Sequence, residues 1–345
     1  MRVFTRSLMA IAVMIGATTF AAGGMAGATP ASDWTTRTAS AANLWTAVTF
    51  GNGVFVTVAQ GGQDAMTSPD GINWTSRTMP DGNWVSVAYG DGLFVAVGGG
   101  VNQVATSPDG ITWTTRVGTT SRGWNSVAHG DSGFVAVASG GDGSALERRV
   151  MTSPDGITWT TQDAPHATLW QSVTFGAGLY VVVGYEDTSG DPLVMTSPNG
   201  VTWTIQVAPV AGWTNVRYGN GTFVAVSNRG SGLASVMTST DGVNWVGSTA
   251  FLADQWTGLT FGEGVFVATA VYGDERVMTS PDGVNWTAQA SPVSGWISVT
   301  YGDGLFVAVS INGEVMTSGT FVPPTTTTTS TSTPDAKPAV PAFAG

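Results

Sequence analysis

The 345-residue sequence contains no cysteine, only two histidines, and charged residues at just 10% of its positions. Without cysteine there are neither disulfides nor thiolate metal sites, so the fold must hold itself together by packing. His129 and His166 are too few for a histidine metal triad, and no cofactor is expected. No Ser-His-Asp spacing, P-loop or HExxH motif is present. The acids of YEDTSGD (185–191) do not match an EF-hand loop. Basic residues are also scarce, 12 Lys and Arg against 23 Asp and Glu, and the net charge is −11. That balance excludes a duplex-binding basic face and a nucleic-acid partner.

The chain is rich in glycine (47) and tryptophan (14), and 42% of its residues are hydrophobic. Such a composition buries a core and does not describe a disordered chain. The two ends differ from the middle. Arg2 and Arg6 precede an apolar run from Leu8 to about Ala22, and Ala26-Gly27-Ala28 is a small-residue cleavage site. Residues 1–28 are expected to be a secretory signal peptide, with a secreted, extracellular or cell-wall-associated product. Losing Arg2 and Arg6 takes the net charge to −13. No second apolar run long enough to span a membrane follows. After Gly319 the composition turns to Thr and Pro, and residues 320–345 read as a disordered tail or linker.

Residues 29–319 are a repeat. One phrase reads WTAVTFGNGVFVTV at 45–58 and returns as WVSVAYGDGLFVAV at 84–97, with seven copies in all. Their leading tryptophans are Trp45, Trp84, Trp124, Trp170, Trp213, Trp256 and Trp296. A second phrase, such as MTSPDGITWTT at 151–161, alternates with the first. It ends on Trp74, Trp113, Trp159, Trp203, Trp245 and Trp286, and Trp34 in SDWTTR is a seventh. All 14 tryptophans belong to one repeat or the other. A period near 41 residues with this content predicts a propeller.

Each repeat predicts four strands. Asn-Gly or Asp-Gly supplies a tight hairpin between the first two. The FVAV strands are apolar at successive positions, as in strands buried on both faces. Ser-Pro-Asp-Gly turns the third strand into the fourth. The last repeat stops at Gly319 after three strands, and SDWTTR (32–37) supplies the fourth. The expected fold is therefore all-β: a seven-bladed β-propeller of four-stranded antiparallel blades. Its ring is closed by the N-terminal strand completing the last blade, which leaves no open edge.

The phrase Ser-x-Asp-Gly-x-x-Trp resembles the Asp-box, or bacterial neuraminidase repeat, of sialidase-like propellers over residues 33 to 318. It is shorter than the usual Ser-x-Asp-x-Gly-x-Thr-Trp by one residue, and position 199 is Asn. The resemblance implies a rim turn away from any active site, so Asp70, Asp109, Asp155, Asp241 and Asp282 are expected to be turn residues. Sialidases of this kind hold a substrate carboxylate with three arginines. Here Arg37, Arg77 and Arg116 share one place on outer strands and cannot converge.

Arg217 is the one arginine in a first strand, where other repeats carry Ala or Thr, so it is the foremost candidate for a ligand contact. His129 takes the Tyr or Phe place of its repeat and is expected to pack there. The second-to-third loops differ from blade to blade, and loops on a rigid scaffold commonly carry function. Arg149, Glu186, Asp187, Arg229, Asp274 and Arg276 in those loops complete the candidate set. The leading expectation is a monomeric, non-catalytic binding or interaction propeller whose ligand is a glycan or protein at a cell surface. A sialidase-like glycoside hydrolase and a multivalent lectin are the alternatives.

Overall fold

A computed structural model describes residues 31–100, 104–118, 123–139, 149–165, 169–185, 193–209, 211–228, 235–248 and 255–322. Seven four-stranded antiparallel sheets follow one another along the chain. Blade one runs Trp45–Gly51, Val54–Ala59, Asp64–Ser68 and Thr75–Thr78, and blades two to six repeat this order. First strands of successive blades pack side by side, and that of blade seven packs on that of blade one. The described residues contain no helix. The expected leader and the tail beyond Val322 lie outside the described residues.

Blade seven closes the ring. Its first three strands are Trp296–Gly302, Leu305–Ser310 and Val315–Gly319, and its outer strand is Thr35–Arg37. Thr35 pairs with Thr317 just as Thr75 pairs with Thr67 in blade one.

Packing between blades is apolar at its centre and polar towards the channel. The seven leading tryptophans are at most 1% exposed. Burying about 200 Å² on each contributes on the order of 5 kcal/mol before conformational entropy is subtracted. The second strands are almost wholly buried. An aromatic ring ends each first strand and lies against the glycine ending the neighbouring first strand. A Cβ on Gly51 would come within 2.1 Å of Tyr89, and one on Gly302 within 2.1 Å of Phe50. Only glycine admits so close an approach.

The first strands carry a bulge two residues after each leading tryptophan. At four junctions the bulge serine accepts an amide from the next blade. Val127 N donates to Ser86 Oγ (3.2 Å), Val173 N to Ser126 Oγ (3.1 Å), Val216 N to Ser172 Oγ (3.3 Å) and Val48 N to Ser298 Oγ (3.2 Å). Blades one, five and six carry Ala47, Asn215 and Gly258 at this place.

The rim turns are built alike. Asp70 Oδ1 accepts from Ser68 Oγ (3.0 Å), Ile72 N (2.9 Å) and Asn73 N (2.8 Å), and Trp74 Nε1 donates to Gly71 O (3.0 Å). Asp109, Asp155, Asp241 and Asp282 repeat the pattern, and Asn199 Oδ1 does so without charge. Burial raises the Asp70 carboxyl, but the amides of Asn73 and Ile72 and the Asn73 side chain outweigh it and bring it down to about 2. In Asp109 and Asp155 the amide three residues on is the main cause of a lowered value.

Candidate functional site

Arg217 stands in the first strand of blade five, Trp213–Gly219, with its side chain in the central channel. Two cavities flank it. One, of about 220 Å³, lies towards the first-to-second hairpins and is walled by all seven first strands, including Thr49, His129, Thr174 and Thr300. The other, of about 260 Å³, faces the variable loops and includes Asn125, Gln171, Tyr185, Asn215 and Asn228. Arg217, Val48 and Val87 line both, so the guanidinium sits between the two chambers.

The strand register explains this position. Side chains alternate across a strand, but the bulge before Asn215 resets the alternation and turns Arg217 to the channel. The equivalent places hold Thr49, Ala88, Ala128, Thr174, Thr260 and Thr300. One arginine therefore breaks a ring of small side chains.

Arg217 Nη1 donates to Val216 O at 2.9 Å. No carboxylate pairs with it among the described residues, where the one contact of this kind is a hydrogen bond between His129 Nε2 and Asp91 Oδ2 at 2.9 Å. Withdrawal from bulk water pushes the guanidinium down to about 10, so it stays charged at neutral pH. Arg217 as a whole is half-buried between the strand walls. A cation in that setting without a counter-ion favours an anion.

Polar groups gather on the same side of the loop-facing chamber. Asn228 Nδ2 donates to the Tyr185 hydroxyl at 2.6 Å, tying the ends of two second strands together. Asn215 accepts from Ser172 Oγ (3.3 Å) and donates through Nδ2 to Thr257 O (2.9 Å). Tyr185, Asn215 and Asn228 were not singled out by sequence. The signal was there for Asn215, which replaces the serine of other repeats two residues before Arg217.

Arg149, Asp274 and Arg276 do not join this cluster. Arg276 Nη1 donates to Val271 O and Ser294 O, both at 2.6 Å, and so ties a loop to the inter-blade segment. Arg149 Nη1 donates to Ser139 O at 3.0 Å. Asp274 is exposed on its loop. Glu186, Asp187, Arg229 and His166 lie outside the described residues. Arg37, Arg77 and Arg116 each donate Nε to a threonine of the neighbouring strand, at 2.8 to 2.9 Å. His129 packs on Phe134 at 4.6 Å, as Tyr89 packs on Phe94. Among the described residues no three acids or histidines cluster as a metal set.

These features define a seven-bladed β-propeller with one arginine lining its channel among the described residues. No family model and no curated protein matches the chain. It is similar in fold to a virginiamycin B lyase from Staphylococcus aureus, at 10% identity and a TM-score of 0.70, covering 83% of this chain and 98% of that one. It is also similar to YCF48 bound to D1 peptide, at 15% identity and a TM-score of 0.61, covering 83% and 95%. A chain of the Mitotic Checkpoint Complex aligns at 11% identity and a TM-score of 0.63, covering 92% and 99%. At these identities the likeness is one of fold.

Proposed function

We propose that this protein is a secreted, non-catalytic binding propeller. Its ligand enters from the variable-loop face and presents an acidic group to Arg217. The observation that carries this reading is a guanidinium between two channel chambers with no carboxylate partner among the described residues, beside the amides and hydroxyls of Asn215, Tyr185 and Asn228. A carboxylate there gains a charge-assisted contact that channel water supplies poorly. A protein segment with an acidic side chain or terminus fits best, and an acidic surface glycan offers the same group. YCF48, a propeller of similar fold, is bound to a peptide.

The rim turns are read as a shortened Asp-box, a structural joint with no part in binding. Buried leading tryptophans disfavour a lectin that would use them as seven equal sugar platforms. The rim arginines already serve threonines, which disfavours a three-arginine carboxylate clamp. The test is an array of acidic peptides and polysaccharides probed with the full chain and with Arg217→Gln, each spot read for retention and for cleavage. Retention by the native chain alone, without cleavage, supports the reading. Cleavage, or retention indifferent to Arg217, opposes it.

A further inference from the structure

The rim turn of blade seven is split between the two ends of the chain, and it lacks its acid. Ser318 corresponds to Ser68, because Ser318 pairs with Phe306 as Ser68 pairs with Phe55. Ala31 corresponds to Gly71: its φ is +61° against +68°, and Trp34 Nε1 donates to Ala31 O at 2.9 Å. Ser32 and Asp33 therefore stand where Ile72 and Asn73 stand in blade one.

In blade one the Ser68 hydroxyl and the amides of Ile72 and Asn73 all converge on a single oxygen, Asp70 Oδ1, at 2.8 to 3.0 Å. In blade seven Thr320 occupies the sequence place of that aspartate. It is drawn aside: Gly319 has a φ of +105°, Thr320 N donates to Gly304 O (3.1 Å), and Val322 N donates to Asp303 O (2.7 Å). What remains is a cavity of about 520 Å³ whose border includes Ala31, Ser32, Asp33, Glu263, Ser318 and Val322. Ser318 is only 3% exposed and lines the cavity, and its hydroxyl has no hydrogen-bond partner among the described residues. The amides of Ser32 and Asp33 have none either.

We propose that this seam is a carboxylate-binding site, in which the Ser318 hydroxyl and the Ser32 and Asp33 amides hold one oxygen of an acid supplied from elsewhere. Three donors on one oxygen make a strong acceptor site for a charged group. The acid has two sources. One is Asp335 in the Thr333-Pro334-Asp335-Ala336 stretch, which echoes the Ser-Pro-Asp-Gly of the intact turns. It follows Val322 by 13 residues, a length that spans about 40 Å when extended. The other is a free carboxylate or an acidic partner segment. Asp33 modulates the site. Where Asn73 Nδ2 donates to the second carboxylate oxygen at 2.8 Å, Asp33 offers only acceptors.

The experiment is a nitrogen-15 spectrum of the full chain, following the Ser32 and Asp33 amides, with acetate and the blocked peptide acetyl-Ser-Pro-Asp-Gly-amide as probes. A carboxylate accepted by these amides moves their proton signals downfield. If Asp335→Asn alone moves both signals upfield, the chain's own segment fills the site. If Asp335→Asn changes nothing and a probe shifts both amides saturably, the carboxylate comes from outside. In either case Ser318→Ala weakens binding about tenfold and Asp33→Asn tightens it about fivefold, the effects of one hydrogen bond lost and one gained. Asp33 is exposed, so its replacement leaves the fold intact should Ser318→Ala lower stability. Amides that respond neither to Asp335→Asn nor to the probes overturn the proposal.

Discussion

The Ser298 hydroxyl accepts the amide of Val48 at 3.2 Å, joining the last blade to the first across 250 positions of sequence. The same bond joins three consecutive pairs, blades two to three, three to four and four to five. It satisfies an amide on the edge strand of the blade, which has no further strand of its own sheet to pair with.

Removing such a clasp leaves a buried amide unmet. Ser126→Ala is expected to lower stability by about 1 to 2 kcal/mol in urea unfolding. The converse, Ala47→Ser, offers an acceptor to blade two and is expected to raise it by up to about 1 kcal/mol. Gly258→Ser is expected to destabilise, because a Cβ there would lie 2.2 Å from Thr269 Oγ1.

Ala31 is buried and held at a φ of +61°, in the left-handed region. Its six counterparts, such as Gly71 and Gly156, are glycines. Ala31→Gly is expected to stabilise the ring by about 1 kcal/mol, read as a higher thermal midpoint. An unchanged or lower midpoint contradicts the assigned strain.

Close approach between blades makes a sharper case. Gly302→Ala places a methyl within 2.1 Å of the Phe50 ring at the closing junction. A loss of about 2 to 3 kcal/mol or more is expected, with the blade-one and blade-seven amides exchanging faster than those of blades three and four. Uniform exchange would show that the junction yields without opening.

The acid limb of stability follows from the rim turns. Hydrogen bonding holds Asp70 and Asp282 at about 2 after outweighing burial, and it lowers Asp109, Asp155 and Asp241. Folded values below the unfolded ones mean that stability is fully present above the unfolded carboxyl value of about 3.9 and is lost as pH falls towards 2. Stability is therefore expected to be level down to about pH 5 and to fall steeply between about 5 and 2. Asp70→Asn, which copies the uncharged Asn199 turn, is expected to flatten that fall.

The ring closure was legible because SDWTTR repeats the words of the other outer strands and the C-terminal repeat stops one strand short. The buried tryptophans and second strands were legible from their unbroken apolar runs. The serine clasps were not: a bulge inserts one residue without a signature in hydrophobic alternation, so Ser86 and Ser126 read as ordinary first-strand positions. Arg217 stood out as a lone departure from Ala and Thr. Its neighbours Tyr185 and Asn228 come from two different blades and are joined by a hydrogen bond that sequence order hides. Arg276 shows the reverse case. It is a loop arginine by pattern, but two backbone carbonyls hold it.

The account rests on Arg217 being kept for a ligand rather than for stability. A channel cation without a carboxylate partner is a liability to the folded state unless an anion meets it. The decisive measurement is therefore paired: thermal midpoint and retention on an acidic peptide and glycan array, for the native chain and for Arg217→Leu. The account predicts a higher midpoint for Arg217→Leu together with at least a roughly tenfold loss of retention and no cleavage by either protein. A lower midpoint with retention unchanged would contradict it and make Arg217 a structural residue of the channel wall.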